Sequence, residues 1–335
     1  MNATLQPPQP SLEEGQPLRD RTLHPSAGLY ARRSALFGTA AWAGLALLAR
    51  ADMVHIGAIE LLFLFAPLVI VPLGLELARR VRGSPLSPQI AFRLPPLAAA
   101  SAVIAICLPP GKAAASVAIG WLFFCSLLGW NGLRALLRAA RTRTSDLSHI
   151  ILAIAELDLV VGGAWLVASR LNIRPMGIQE PIGLLTAVHF HYAGFATATI
   201  SAATLSFSRN RSRNSLKIVA PLVAILPFLV AAGFVISPAL RMAAAVAFSA
   251  AVAALAIILR ICAKQATDAT ARVLLQIASA AVFAGMILAA AYAITNFLTS
   301  DALTIPQMAR THGLLNAFGF CLPALLGWLI EFNEP

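Results

Sequence analysis

The 335 residues would suffice for two soluble domains, but 59% are apolar and only 12% are charged. With a mean hydropathy of +0.79, that composition excludes a soluble globular protein. The 25 Lys+Arg exceed the 14 Asp+Glu by 11. In a soluble chain this excess would raise nucleic-acid binding; here it reads as loop charge beside the lipid bilayer, and no nucleic-acid partner is expected.

Residues 1–33 carry Pro7, Pro8, Pro10, Pro17 and Pro25 among polar side chains and read as a disordered tail. Ten apolar stretches follow, at 35–49, 56–78, 95–108, 114–137, 148–168, 181–205, 216–236, 239–259, 271–298 and 312–330. Several reach the ~20 residues that cross a bilayer. The first, with Arg32 and Arg33 before it and Ala49-Arg50-Ala51 after it, has the outline of a signal peptide. The long tail and the charge pattern favour a retained helix. The third is short enough to be tilted, proline-kinked or partly re-entrant. The expected class is an all-α, polytopic membrane protein with a single ten-helix domain over 34–330 and a short tail over 331–335. A five-plus-five inverted repeat would divide the domain into 34–170 and 181–330.

Basic residues set the orientation. With the N-terminus inside, nineteen fall on the cytoplasmic side: Arg19, Arg21, Arg32, Arg33, Arg79, Arg80, Arg82, Arg93, Arg134, Arg138, Arg141, Arg143, Arg209, Arg211, Arg213, Lys217, Arg260, Lys264 and Arg272. Six fall on the other: Arg50, Lys112, Arg170, Arg174, Arg241 and Arg310. Missing or inventing one span would destroy that bias, so ten spans with both termini cytoplasmic are expected. Cys107, Cys125, Cys262 and Cys321 all lie within spans and have no paired spacing, so neither a disulfide framework nor a metal site is expected.

Ionisable side chains at membrane depth are expensive, which makes them the candidates for function. Glu60 lies one turn inside the outer end of the second span; Glu76, near its inner end, reads as a structural ion pair with Arg79 and Arg80. The fifth span carries Glu156 and Asp158, the sixth His189, His191 and Tyr192, and the tenth His312 and Asn316. With the fifth span running outward and the other two inward, a rise of ~1.5 Å per residue brings Asp158, His189, His191, His312 and Asn316 together in the middle or outer half. Residues two apart differ by roughly 200° around a helix, so neither Glu156/Asp158 nor His189/His191 forms a chelate. One histidine of the sixth span, His312 and one acid are expected to share a site. Asn131 and Asn296 read as helix–helix hydrogen bonds, and Gly162, Gly163 and Gly194 as points of close packing.

The segments Leu184-Leu-Thr-Ala-Val-His-Phe-His-Tyr-Ala-Gly-Phe195 and Arg310-Thr-His-Gly-Leu-Leu-Asn-Ala-Phe-Gly-Phe320 resemble the YndJ-like family of bacterial membrane proteins. The resemblance implies a bacterial inner-membrane location and highlights His189, His191, Tyr192, His312 and Asn316, but supplies no reaction. His189-Phe-His-Tyr192 is also similar to the helix of haem–copper oxidase subunit I whose two histidines ligate two haems. That resemblance would give His189 to a high-spin haem, and His191 with His312-Gly313 to a low-spin one. The copper-ligating histidines are missing, ten spans replace twelve and the motifs come in reversed order, so oxygen reduction is not expected.

Three function classes remain open. A proton-linked transporter or permease of a small solute is the leading one, with no cofactor. Ala66-Pro-Leu-Val-Ile-Val-Pro72 matches Ala220-Pro-Leu-Val-Ala-Ile-Leu-Pro227 in the corresponding spans of the two halves, and these prolines would kink both helices. Imidazoles exchange protons near neutral pH. The second class is a redox or sensor protein with haem b held by two histidines, from His189, His191 and His312, on facing helices. The third is an intramembrane acid–base enzyme, with Asp158 or Glu60 donating to an isoprenoid-like substrate and His189 or His312 accepting.

Overall fold

The computed structural model of the chain describes residues 25–83, 94–142, 146–298 and 303–332. Ten helical rods account for nearly all of them: α1 Pro25–Arg50, α2 Ala58–Arg82, α3 Leu94–Cys107, α4 Lys112–Thr142, α5 Leu147–Arg170, α6 over 182–207, α7 Asn210–Ile236, α8 Pro238–Ala263, α9 Ala269–Phe297 and α10 Ile305–Glu331. All-helical structure is what lipid demands, because a helix satisfies its backbone N–H and C=O groups within the segment. Seven rods (α2, α4, α5, α7, α8, α9 and α10) are long and apolar enough to cross a membrane.

Two ends differ from the sequence expectation. The first helix starts at Pro25, inside the segment read as a disordered tail, since proline fits the first turn of a helix where its missing N–H is not needed. Residues 1–24 lie outside the described residues, as do Arg93 and Arg143 of the charge count and residues 333–335 of the C-terminal tail; Glu331 itself is helical. The third span is a 14-residue helix, about 21 Å long, short of a ~30 Å hydrocarbon core.

Starts and stops are encoded locally. Asp146, Ser237 and Asp268 cap α5, α8 and α9 by accepting from the N–H of Ser148, Leu240 and Ala271. Thr304 and Gln307 form a capping box at α10. Gly83, with φ 63°, ends α2 by turning its N–H back to the carbonyls of Arg79 and Arg80.

The centre of the bundle is α6. From Phe190 to Leu205 nearly every side chain is buried, including His191, Tyr192, Thr197, Thr199, Ser201 and Thr204. It packs against α2, α5, α7 and α10. Helices α3, α4 and α5 form one flank, while α7, α8, α9 and α10 pack in succession and close a ring with α6. Helix α1 lies outside α2, mostly exposed, so the two five-helix halves are not packed alike.

The central helices depart from α geometry. Wider π turns occupy Ala66–Ile70 of α2, Phe190–Ala196 of α6, and Ala309–Gly313 and Leu315–Cys321 of α10. In α2 the π turn absorbs Pro67, whereas α7 continues as an α-helix through Pro221 and Pro227. The π segments of α6 and α10 carry His191 and His312, with His189 just before the first, and they touch each other.

Helices α4 and α5 meet closely because Gly132 has no side chain: a Cβ there would sit 2.4 Å from the Ala153 carbonyl oxygen. Gly132→Ala is expected to cost ~1–3 kcal/mol and lower the unfolding temperature of the solubilised protein. Gly44→Ala, with nothing within 4 Å, is expected to leave it unchanged; fluorescence-detected thermal unfolding of both variants checks the pair.

Candidate functional site

The polar groups of α6 divide between two sides of the helix. His191 faces α4 and α5 and is fully enclosed. The Trp121 indole N–H donates to its Nε2 (3.0 Å), and an indole nitrogen can only donate. The ring proton is therefore on Nδ1, which donates to the Ala187 carbonyl (2.7 Å). Trp121 also stacks on the ring (5.7 Å, 24°) and Phe63 meets it edge-on (5.3 Å, 83°). Gly162 makes the space, since a Cβ there would lie 2.6 Å from Nδ1. Both ring nitrogens are engaged, so the pairing of His191 with His312 on a haem iron does not fit this arrangement.

The acids of α5 lie on the same side of α6 and share little. Glu156 is buried in an ion pair with Arg82 of α2 and accepts from the Asn131 amide (2.9 Å). This is a structural triad joining α2, α4 and α5. Asp158 packs on Gly194, where a Cβ would fall 2.6 Å from its carboxyl carbon. It is completely buried and neither oxygen has a hydrogen-bond partner among the described residues. Thr199 and Ser201 of α6 have buried, unpartnered hydroxyls as well.

The other side of α6 borders a cavity of about 620 Å³ enclosed by α6–α10, with Leu62 of α2 and the 176–180 connector completing its wall. That volume lies within the range of small-molecule sites. Its lining runs from Ile182 to Thr197 on α6, a depth of about 22 Å. It occupies the end of the bundle that carries the 171–181 connector, here called the upper end. His189, Tyr192, His312 and Asn316 all line it. His189 donates from Nδ1 to the Leu185 carbonyl (2.7 Å) and His312 from Nδ1 to the Gly285 carbonyl (2.9 Å). His189 thus keeps its Nε2 lone pair, whereas the Asn316 amide lies 3.3 Å from the Nε2 of His312. The Asn316 amide donates to the His312 carbonyl (2.7 Å) and lies beside that imidazole. The Tyr192 hydroxyl donates to the Leu62 carbonyl (2.9 Å), anchoring α6 to α2.

The expected site therefore splits. His189, Tyr192, His312 and Asn316 come together, whereas His191, Glu156 and Asp158 lie across α6 and do not line the cavity. Glu60 sits half-exposed in the first turn of α2 beside Gly57, also off the wall. The reason is the 200° between residues two apart: once His189 faces the cavity, His191 must face α4 and α5. No cluster of three or more His, Cys, Asp or Glu able to hold a metal ion occurs among the described residues.

One wall residue, Arg241, is not among the sequence candidates. In the first turn of α8, it donates to Asn296 Oδ1 of α9 (3.0 Å) and lies over the Phe234 ring of α7 (5.0 Å). In the sequence it reads as loop charge alone, while Asn296 makes the helix–helix hydrogen bond expected of it. The local signal was Gly233, which lets the backbones of α7 and α8 approach at Arg241: a Cβ at 233 would lie 2.4 Å from the Arg241 Cα.

The profile of a family described as YndJ-like protein matches residues 61–320, most of the chain and every cavity-lining residue except Cys321. The chain belongs to the YndJ-like family. It is 29% identical over 240 residues to a Bacillus subtilis (strain 168) protein named "Uncharacterized membrane protein YndJ", covering 72% of this chain and 42% of that relative. The chain thus spans less than half the length of that family member. No solved structure matches.

Both motifs that resemble the family lie on α6 and α10, at the cavity. The split between their surroundings and the α5 acids has a measurable consequence. Glu156→Ala leaves Arg82 buried without its partner and is expected to cost ~3–5 kcal/mol. Asp158→Asn breaks no hydrogen bond and is expected to leave the unfolding temperature of the solubilised protein unchanged or raised. Equal losses in the two variants would contradict the division.

Proposed function

We propose that this multi-pass membrane protein is a permease-like carrier that admits a small solute to the α6–α10 chamber, with proton exchange linked to its rearrangement. The observation that carries the reading is an asymmetry between the two ends. The chamber occupies the upper end, while the lower ends of the helices are tied together. Glu76 pairs with Arg79 (2.7 Å) and Arg80 (2.9 Å), and Arg80 donates to the Leu329 carbonyl of α10 (2.9 Å). The Glu331 carboxylate accepts from the Thr267 and Asp268 N–H groups and the Thr267 hydroxyl, all at 3.0–3.2 Å, fastening α10 to the α8–α9 turn. Ser206 of α6 donates to Ser148 of α5 (3.1 Å). A binding chamber at one end above a hydrogen-bonded closure at the other is one state of an alternating-access cycle.

The excess of basic residues at the lower connectors supports an upper end facing out, with both termini cytoplasmic in a bacterial inner membrane. Ten spans then require α1, α3 and α6 to cross along with the seven helices that are long and apolar enough. Proton exchange falls to His189 and His312 on the chamber wall and to Asp158 behind α6, a carboxyl group free of the ion pair that holds Glu156. The polar side chains that line the chamber offer the solute donors and acceptors without a metal or cofactor. An acid–base enzyme would need Asp158 or Glu60 across a substrate from His189 or His312, and neither acid lines the chamber.

The test is thiol labelling in cells expressing a variant with the four native cysteines replaced by alanine. Ala245→Cys and Met308→Cys, both on the wall, are expected to react with a membrane-impermeant maleimide from outside. Adding Glu331→Ala, which loosens the lower closure, is expected to reduce that labelling several-fold by populating the opposite state. Labels that never react from outside, or react equally with and without Glu331, would leave a static pocket rather than a carrier.

A further inference from the structure

Two charged side chains line the chamber, Arg241 and Glu180. Arg241 is the wall's arginine, and it has no carboxylate partner within salt-bridge distance among the described residues. Its hydrogen bond goes to a neutral amide, Asn296 Oδ1, which leaves the Asn296 NH₂ and the remaining guanidinium N–H groups as donors at the same rim. Glu180, the wall's carboxylate, is exposed beside the connector before α6, where its Oε2 accepts the Leu184 N–H (3.2 Å). An arginine that served only to reach the headgroup region would need no place on a cavity wall. Here Gly233 allows the close helix approach beside it, and Phe234 holds the guanidinium from one face.

Below this rim the wall becomes apolar. Val230, Phe248, Val252, Val282, Met286 and Phe320 face the same space that runs about 22 Å down α6. His189 and His312 stand between rim and floor, and His189 keeps an Nε2 acceptor. A cation with an amide at the mouth of a deep apolar slot fits a ligand with an acidic head and a single hydrocarbon chain.

We propose that the chamber binds a single-chain amphiphile with a carboxylate or phosphate-monoester head, the head held at Arg241 and Asn296 and the chain lying along the α6–α10 wall. The proposal rests on the chamber being the solute site, and names the solute's class. The bidentate guanidinium fork suits either oxyanion, and neutral or cationic heads lose that contact.

Fluorescence of cis-parinaric acid bound to the protein in nanodiscs, with displacement by dodecanoate, dodecyl phosphate, dodecanol and dodecyltrimethylammonium, tests this. Both anions are expected to displace the probe at concentrations about tenfold lower than the alcohol or the cation, as a charge-assisted contact worth one decade requires. Arg241→Gln is expected to abolish that preference and Arg241→Lys to retain most of it. If only one anion wins, the head class narrows to that one. Ala245→Trp, which fills the slot, is expected to stop probe binding altogether while the protein remains monodisperse on size exclusion. All four displacers acting equally, or an anion preference that survives Arg241→Gln, would overturn the anionic-head assignment while leaving the chamber intact. Probe binding unaffected by Ala245→Trp would place the amphiphile outside the chamber and overturn the proposal, while the carrier reading stands or falls by the thiol labelling.

Discussion

A helix as polar as α6 can sit at membrane depth only if other helices keep lipid away from it. Its two histidines, tyrosine and row of threonines and serines would each face hydrocarbon on a peripheral helix, where an unsatisfied polar group costs several kcal/mol. Its neighbours prevent this, and three of them, α2, α4 and α5, supply a specific partner or fit. Trp121 of α4 closes His191, Leu62 of α2 accepts from Tyr192, Asp158 of α5 packs on Gly194, and Phe195 enters the gap at Gly74. The consequence is a fixed rotation of α6 about its axis. With His191 committed to α4 and α5, His189 has to point to the opposite side, and the α6–α10 ring is where that side finds space.

The π turns belong to the same constraint. A π turn packs more residues into each turn than an α-helix and so re-aims the side chains beyond it. In α6 it begins just after His189 and spans Gly194, the residue against which Asp158 rests; the Thr197 hydroxyl donates to the Tyr192 carbonyl five residues earlier (2.8 Å), alongside its own backbone N–H. In α10 the two π turns hold His312 and Asn316 on one side of the helix, with the Asn316 amide folded onto the His312 carbonyl. Departures from regular geometry thus cluster where the wall has to present polar groups, and the peripheral helices α7, α8 and α9 stay regular even where α7 contains two prolines.

Hydropathy and basic-residue periodicity made the ten rods legible, because lipid imposes length and loop charge directly on the sequence. The membership of the cavity was partly legible too: the depths of His189, Tyr192, His312 and Asn316 follow from rise per residue alone. What sequence reading lacked was rotation. Depth placed Asp158 beside the histidines, but only packing reveals that α6 stands between Asp158 and the cavity. The partners of Glu156 are hidden for a related reason: Arg82 and Asn131 come from helices far away in sequence, and nothing local marks them. Arg241 was hidden by its own explanation, since a basic residue near a helix end is accounted for as topology before it is considered as a ligand contact.

The distribution of charge then separates the two ends by role. At the lower end every carboxylate described has a partner within the fold: Glu76 with two arginines, Glu156 with Arg82 and Asn131, Glu331 with backbone N–H groups. Such contacts hold helices together, and their removal leaves buried charge behind. At the upper end Arg241 meets an amide and a ring instead of a carboxylate, and the His189 imidazole keeps a lone pair. Donors and acceptors left unused at the wall of a space this size are available to something that is not part of the chain, whereas the ion pairs of the lower end hold the helices together beneath it.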